Sequence, residues 1–126
     1  MMHRTAALGA VLAGLAVAAG AFAAHGLRET LEPAMLAVFR TGAQYQFYHA
    51  LALILTALLA GPLGPRRGLR LAAGLFAAGI VLFAGSLYAL ALTGISGLGL
   101  ITPLGGLAFL LGWGVLAVTL WNARGD

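Results

Sequence analysis

Between Arg70 and Arg124 the chain carries no Asp, Glu, Lys or Arg. Drawn out as helix at about 1.5 Å per residue, that stretch would reach roughly 80 Å, well over twice the hydrocarbon thickness of about 30 Å. A run of this length has to turn back on itself. The turn is written in Thr93-Gly-Ile-Ser-Gly-Leu-Gly-Leu-Ile-Thr-Pro103, where glycines loosen the backbone and Thr102-Pro103 reads as an N-cap followed by proline in the first helical turn.

Two earlier runs have the length of a membrane crossing. Residues 5–24 are uncharged between Arg4 and His25, and a second run follows Arg40 to Pro65 with only His49 ionisable inside it. With 62% hydrophobic and 8% charged residues, water is not the main solvent of this chain. Backbone groups in lipid must be satisfied within the fold, which leaves helices or closed barrels, and these runs lack the alternation of barrel strands. The expectation is therefore an all-α integral membrane four-helix bundle. It forms one domain, with spans at about 5–24, 42–61, 69–93 and 103–121. Between the first two spans, residues 27–40 hold Glu29, Glu32 and Pro33, a pattern that predicts a short amphipathic interfacial helix, with Gly42 as a bend into the second span.

The arginines set an orientation. Arg4, Arg66, Arg67, Arg70 and Arg124 fall at one end of the spans, and Arg28 and Arg40 at the other, beside Glu29 and Glu32. The rule that short cytoplasmic loops are basic predicts a multi-pass membrane protein with both termini cytoplasmic. Residues 1–24 also look like a signal peptide, although their apolar part is longer than the usual h-region. The basic pI would suit nucleic acid, but the arginines flank spans instead of lining one face, so no nucleic-acid partner is expected. Without cysteine, thiolate metal sites and a cysteine nucleophile are excluded.

Helices in lipid associate through small residues. Gly14 and Gly20 in the first span, Gly74 and Gly85 in the third, and Gly105 and Gly106 opening the fourth are the expected packing positions, within one monomer or in a homo-oligomer. Trp121 suits an interfacial anchor, and Trp113, deeper, suits packing.

The unusual chemistry begins at Thr41-Gly-Ala-Gln-Tyr-Gln-Phe-Tyr-His49. At 3.6 residues per turn Tyr45, Gln46 and His49 share one stripe and Gln44 and Tyr48 an adjacent one. Entering from the non-cytoplasmic side, His49 lies about 8 to 13 Å deep. His25, Ser86, Tyr88 and Thr102 belong to the same half of the bilayer. An unpaired polar group in hydrocarbon costs several kcal/mol, so these side chains must find one another, backbone, water or a ligand. A neutral histidine between Tyr and Gln can simply cross-link helices. The same residue is suited to binding or proton handling. Two histidines without a nearby carboxylate make a poor metal set. No carboxylate lies within a span and no nucleophile-base-acid or phosphate-loop motif is present, so no enzyme, catalytic residue, cofactor or metal is expected.

Four strings carry a resemblance. Gly20-Ala-Phe-Ala-Ala-His-Gly-Leu27, Arg40-Thr-Gly-Ala-Gln-Tyr-Gln-Phe-Tyr-His-Ala-Leu-Ala-Leu53, Gly79-Ile-Val-Leu-Phe-Ala-Gly-Ser-Leu-Tyr-Ala-Leu-Ala-Leu-Thr-Gly94 and Ile101-Thr-Pro-Leu-Gly-Gly-Leu-Ala-Phe-Leu-Leu-Gly-Trp113 resemble, in order, the small membrane family called domain of unknown function 423, whose eukaryotic relatives are called transmembrane protein 256. The resemblance implies a four-span plasma-membrane protein that retains its first span. It implies no activity. The expected function is a lipid or small-ligand binding module whose polar cup is lined by His25, Gln44, Tyr45, Gln46, Tyr48, His49, Ser86, Tyr88 and Thr102. The alternatives are a structural or assembly protein that engages another membrane protein, and a proton-coupled transporter.

Overall fold

The computed structural model describes residues 2–123; Arg124, which entered the charge count, and Asp126 lie outside them. Among the described residues the chain forms four helices long and apolar enough to cross a membrane. They are α1 (His3–His25), α2 (Pro33–Leu63), α3 (Arg67–Thr93) and α4 (Thr102–Trp121). A short 3-10 turn, Ser96–Leu100, leads into α4. α1 lies along α2, α2 along α3, and α3 along α4. Large apolar side chains such as Val17, Leu58, Val81 and Leu110 point outward from each helix, as a lipid environment requires.

No separate helix lies between α1 and α2. Residues 26–32 make tight turns in which the Leu27 N–H donates to Phe22 O and the Leu31 N–H to Leu27 O. Pro33 then starts α2, which runs unbroken through Gly42 to Leu63. The physical reason is burial. Leu27, Leu36 and Phe39 pack with Ala23 and Ala91 in a small core at this end, so the segment read as an interfacial helix is held against the bundle. Gly42 is no bend: a side chain there would meet the Tyr88 ring at 3.1 Å.

α3 is α-helical over Arg67–Gly79 and Gly85–Thr93, with a π-helical turn, Ile80–Ala84, between. There the Gly85 N–H reaches back to Ile80 O. The inserted residue rotates everything after it by about 100°, which places Ser86 and Tyr88. α3 ends where Gly94 adopts a left-handed conformation, φ 73°. Thr102 is not the cap of α4. It is the first helical residue, and its hydroxyl lies 2.6 Å from Ser86 Oγ.

Close helix contact occurs at a set of glycines only partly foreseen. A side chain at Gly105 would strike the Phe83 backbone, one at Gly79 the Phe109 ring, one at Gly112 the Phe76 ring at 2.8 Å, and one at Gly9 the Ala50 carbonyl at 2.8 Å. Gly14, Gly20, Gly74 and Gly85 face open space, and Gly106 only approaches the Phe83 ring. The main core centres on Phe76, Leu53 and Leu69, all fully buried, with Ile80, Phe109 and Leu116 around them.

Candidate functional site

Gln46 and His49 lie one turn apart on the buried face of α2, yet they serve different neighbours. The Gln46 amide donates from Nε2 to the α1 carbonyl of Leu12 at 2.8 Å. Its Oε1 accepts the Tyr88 hydroxyl of α3 at 2.6 Å. One side chain thus ties α1, α2 and α3 together, and the bond to Leu12 O is made to a carbonyl that already serves its own helix. Replacing Tyr88 with phenylalanine leaves Oε1 without its donor. A loss of about 1 kcal/mol in unfolding free energy is expected, measured by titration with sodium dodecyl sulfate in mixed micelles.

His49 connects α2 to α4. Its Nδ1 lies 2.8 Å from the Tyr45 carbonyl one turn back, and its Nε2 receives the indole N–H of Trp113 at 3.1 Å. An indole can only donate and a carbonyl can only accept, so the network assigns the proton to Nδ1 and the lone pair to Nε2. The imidazole is neutral and both nitrogens are used. Its face stacks on Phe109 with ring centroids 3.5 Å apart and planes 7° from parallel. Phe76 and Trp113 contact it from other directions. The α2 and α4 backbones pack less closely than those of α3 and α4; these rings fill the space between them.

The remaining candidates fall into separate pairs. Ser86 and Thr102 share a hydrogen bond across the α3–α4 turn, and Ser86 Oγ also donates to Phe83 O at 3.0 Å. Gln44 donates to the Tyr48 hydroxyl at 2.7 Å on the outer surface of α2. His25 is exposed at the end of α1 and joins none of these groups. What reads in sequence as one cup is three buried links and one surface pair. Among the described residues, every buried side-chain nitrogen or oxygen has a hydrogen-bond partner.

An open space borders the His49 ring cluster. An apolar groove of about 580 Å³ runs between α2 and α4, from Pro103 past Gly106 and Leu107 to Trp113, with His49 and Phe109 in its floor and Phe83 in one wall. Tyr45 stands at its edge, its ring against Phe83 and Phe109. The Tyr45 side chain is 38% exposed, and its hydroxyl has no hydrogen-bond partner among the described residues. Phe83, Phe109 and Trp113 were not foreseen as site residues. Matching depths would have found Trp113, the one indole N–H in the interior, beside the one imidazole.

The model for the family described as "Protein of unknown function (DUF423)" matches residues 19–106. The chain is 51% identical to the UPF0382 membrane protein YwdK of Bacillus subtilis over 88% of its length and 90% of the relative's. It is 42% identical to a Staphylococcus aureus UPF0382 membrane protein over 94% and 95% of the two chains, and 44% identical to one from Haemophilus influenzae over 86% of each. No solved structure matches. With its four apolar helices and near full-length likeness to these membrane proteins, the chain belongs to the DUF423 family of small membrane proteins of unknown function.

Proposed function

We propose that this protein is a lipid-binding module of the plasma membrane, both termini cytoplasmic, which holds one lipid chain in the groove between α2 and α4. The observation that carries the reading is the groove itself: apolar, ring-floored, open to the bilayer, and edged by a tyrosine hydroxyl without a partner among the described residues. Lipid chains are the solvent such a groove meets. Dispersion against flat rings favours an extended chain over the disordered bilayer interior. The Tyr45 hydroxyl donates to an acceptor at the top of that chain, the ester carbonyl of a glycerolipid.

A phosphatidylethanolamine carrying a photoreactive diazirine in its acyl chain tests this in liposomes, with the adducts mapped by mass spectrometry. Labelling is expected to concentrate on Leu107 and Leu110 relative to Val17 on the outer face of α1. Gly106→Leu, whose Cβ would meet only Phe83 ring atoms and whose side chain would occupy the groove, should reduce that excess on the order of tenfold, and Tyr45→Phe by a few-fold, the worth of one hydrogen bond. Labelling spread evenly over the four helices, unchanged in Gly106→Leu, would sink the reading.

A second reading is favoured by the complete pairing of the buried polar atoms. In that case the links at Gln46, His49 and Ser86 fix helix register in a structural or assembly protein. It predicts that variants at these positions change stability alone.

A further inference from the structure

Gln44 and Tyr48 are exposed on the outer side of α2. The Gln44 amide donates from Nε2 to the Tyr48 hydroxyl at 2.7 Å, which leaves the Gln44 Oε1 acceptor and the Tyr48 O–H donor without a partner among the described residues. With the amide turned over, the pair still presents both a donor and an acceptor. Gln44 lies about 6 Å and Tyr48 about 12 Å past Arg40 along the helix axis. Both therefore sit below the headgroup layer that a long arginine side chain reaches. Acyl chains at that depth offer neither donor nor acceptor. The pair also heads a ridge. Gln44, Tyr48, Leu51, Leu55 and Leu58 are all exposed, and their spacing of four, three, four and three residues is the heptad pattern of two helices in parallel contact. α1 and α3 pack against other sides of α2, which leaves this ridge facing the bilayer.

We propose that α2 pairs with α2 of a second copy of this chain along the ridge, about a two-fold axis normal to the membrane, each Tyr48 O–H donating to the Gln44 Oε1 of the other copy. The leucines alone would not choose protein over lipid, because lipid chains are as apolar as leucine. The polar pair does choose. A surface that carries one donor beside one acceptor is complementary to itself turned by a two-fold, which is the condition for a contact made by the same patch on both copies. An axis normal to the bilayer also brings identical residues to identical depth, so Gln44 meets a hydrogen-bonding group in a layer where lipid provides none. A polar site in an otherwise apolar heptad seam then fixes the register of the two helices. This contact uses a different face of α2 from the groove between α2 and α4 and does not rest on the lipid-binding reading.

The chain has no cysteine, so single-cysteine variants of the full chain report the contact directly. In membranes of the expressing cells treated with copper phenanthroline, Leu51→Cys and Leu55→Cys are expected to form disulfide-linked dimers, and Val17→Cys on α1, Val81→Cys on α3 and Val118→Cys on α4 are not. All five positions are exposed, so exposure alone does not select between them. Energy transfer between donor- and acceptor-labelled copies in liposomes, followed as lipid is added, measures the affinity. Gln44→Leu with Tyr48→Phe should weaken association on the order of tenfold, the effect of two symmetric hydrogen bonds in a membrane. Both changes lie on the outer surface, and thermal unfolding in detergent checks that the variant is folded; if it is not, the single substitutions replace it and each should weaken association several-fold. Energy transfer no greater than random proximity for the unaltered chain would overturn the proposal. So would cross-linking through Val17→Cys, Val81→Cys or Val118→Cys as strong as through Leu51→Cys, which moves the contact to another face, or an affinity that the loss of the polar pair leaves unchanged.

Discussion

Replacing His49 with alanine is expected to lower the unfolding free energy in mixed micelles by about 3 kcal/mol. Three losses combine. The imidazole leaves a gap against Phe109, on which it stacks at 3.5 Å, and against Phe76. It takes away the acceptor that the Trp113 N–H has among the described residues. It also removes the ring that spans the space between α2 and α4, whose backbones are not closely packed. Trp113→Phe separates these terms in part, since it keeps an aromatic ring while removing the donor and the portion of the indole that packs on Phe76. Alone it should cost the hydrogen bond, about 1 kcal/mol by the range of interhelical hydrogen bonds in membranes, plus the lost ring contact. In the His49→Ala background only the lost ring contact remains, which gives a coupling of about 1 kcal/mol in a double-mutant cycle. Strict additivity would show that the bond between the two rings carries no weight.

The same residue shows how far the sequence could be read. Its stripe with Tyr45 and Gln46 follows from helix periodicity, and the need for partners follows from lipid. The identity of the partners does not, because it depends on the rotation of α4 about its own axis. Trp113 is the example: placed at a packing depth, it turns out to be the hydrogen-bond donor. Thr102 is another. Thr-Pro is a sound helix-start signal, and α4 does start there, but the hydroxyl serves Ser86 instead of the helix end. The segment before α2 fails differently. Its pattern is amphipathic, yet the connection is so short that Leu36 and Phe39 reach the core, and tertiary burial overrides the interfacial choice. The four spans themselves were legible because length and apolarity alone define them.

Glycine packing was the least legible feature, and Gly105 is where its consequence is largest. Gly105→Ala is expected to cost about 3 kcal/mol, the upper end of overpacking effects, whereas the neighbouring Gly106→Ala should stay within about 0.5 kcal/mol of the unaltered protein. Both changes add one methyl group to one helical turn, so composition and propensity cannot separate them. Space does. The methyl at 105 falls against the nitrogen and Cα of Phe83, whereas that at 106 meets only Phe83 ring atoms at 3.9 Å. A ring can rotate aside; the backbone of α3 cannot move without its neighbours. Phe83 lies inside the π-helical turn, directly before the residues that carry the Ser86–Thr102 bond, and its ring forms a wall of the α2–α4 groove. Pushing α4 away at Gly105 therefore opens the Ser86–Thr102 pair and widens the groove together. The predicted signature is a large loss of stability accompanied by weaker labelling of Leu107 and Leu110 by the photoreactive lipid. If Gly105→Ala and Gly106→Ala unfold at the same detergent concentration, the close approach of α3 and α4 at Phe83 is not what holds this half of the bundle.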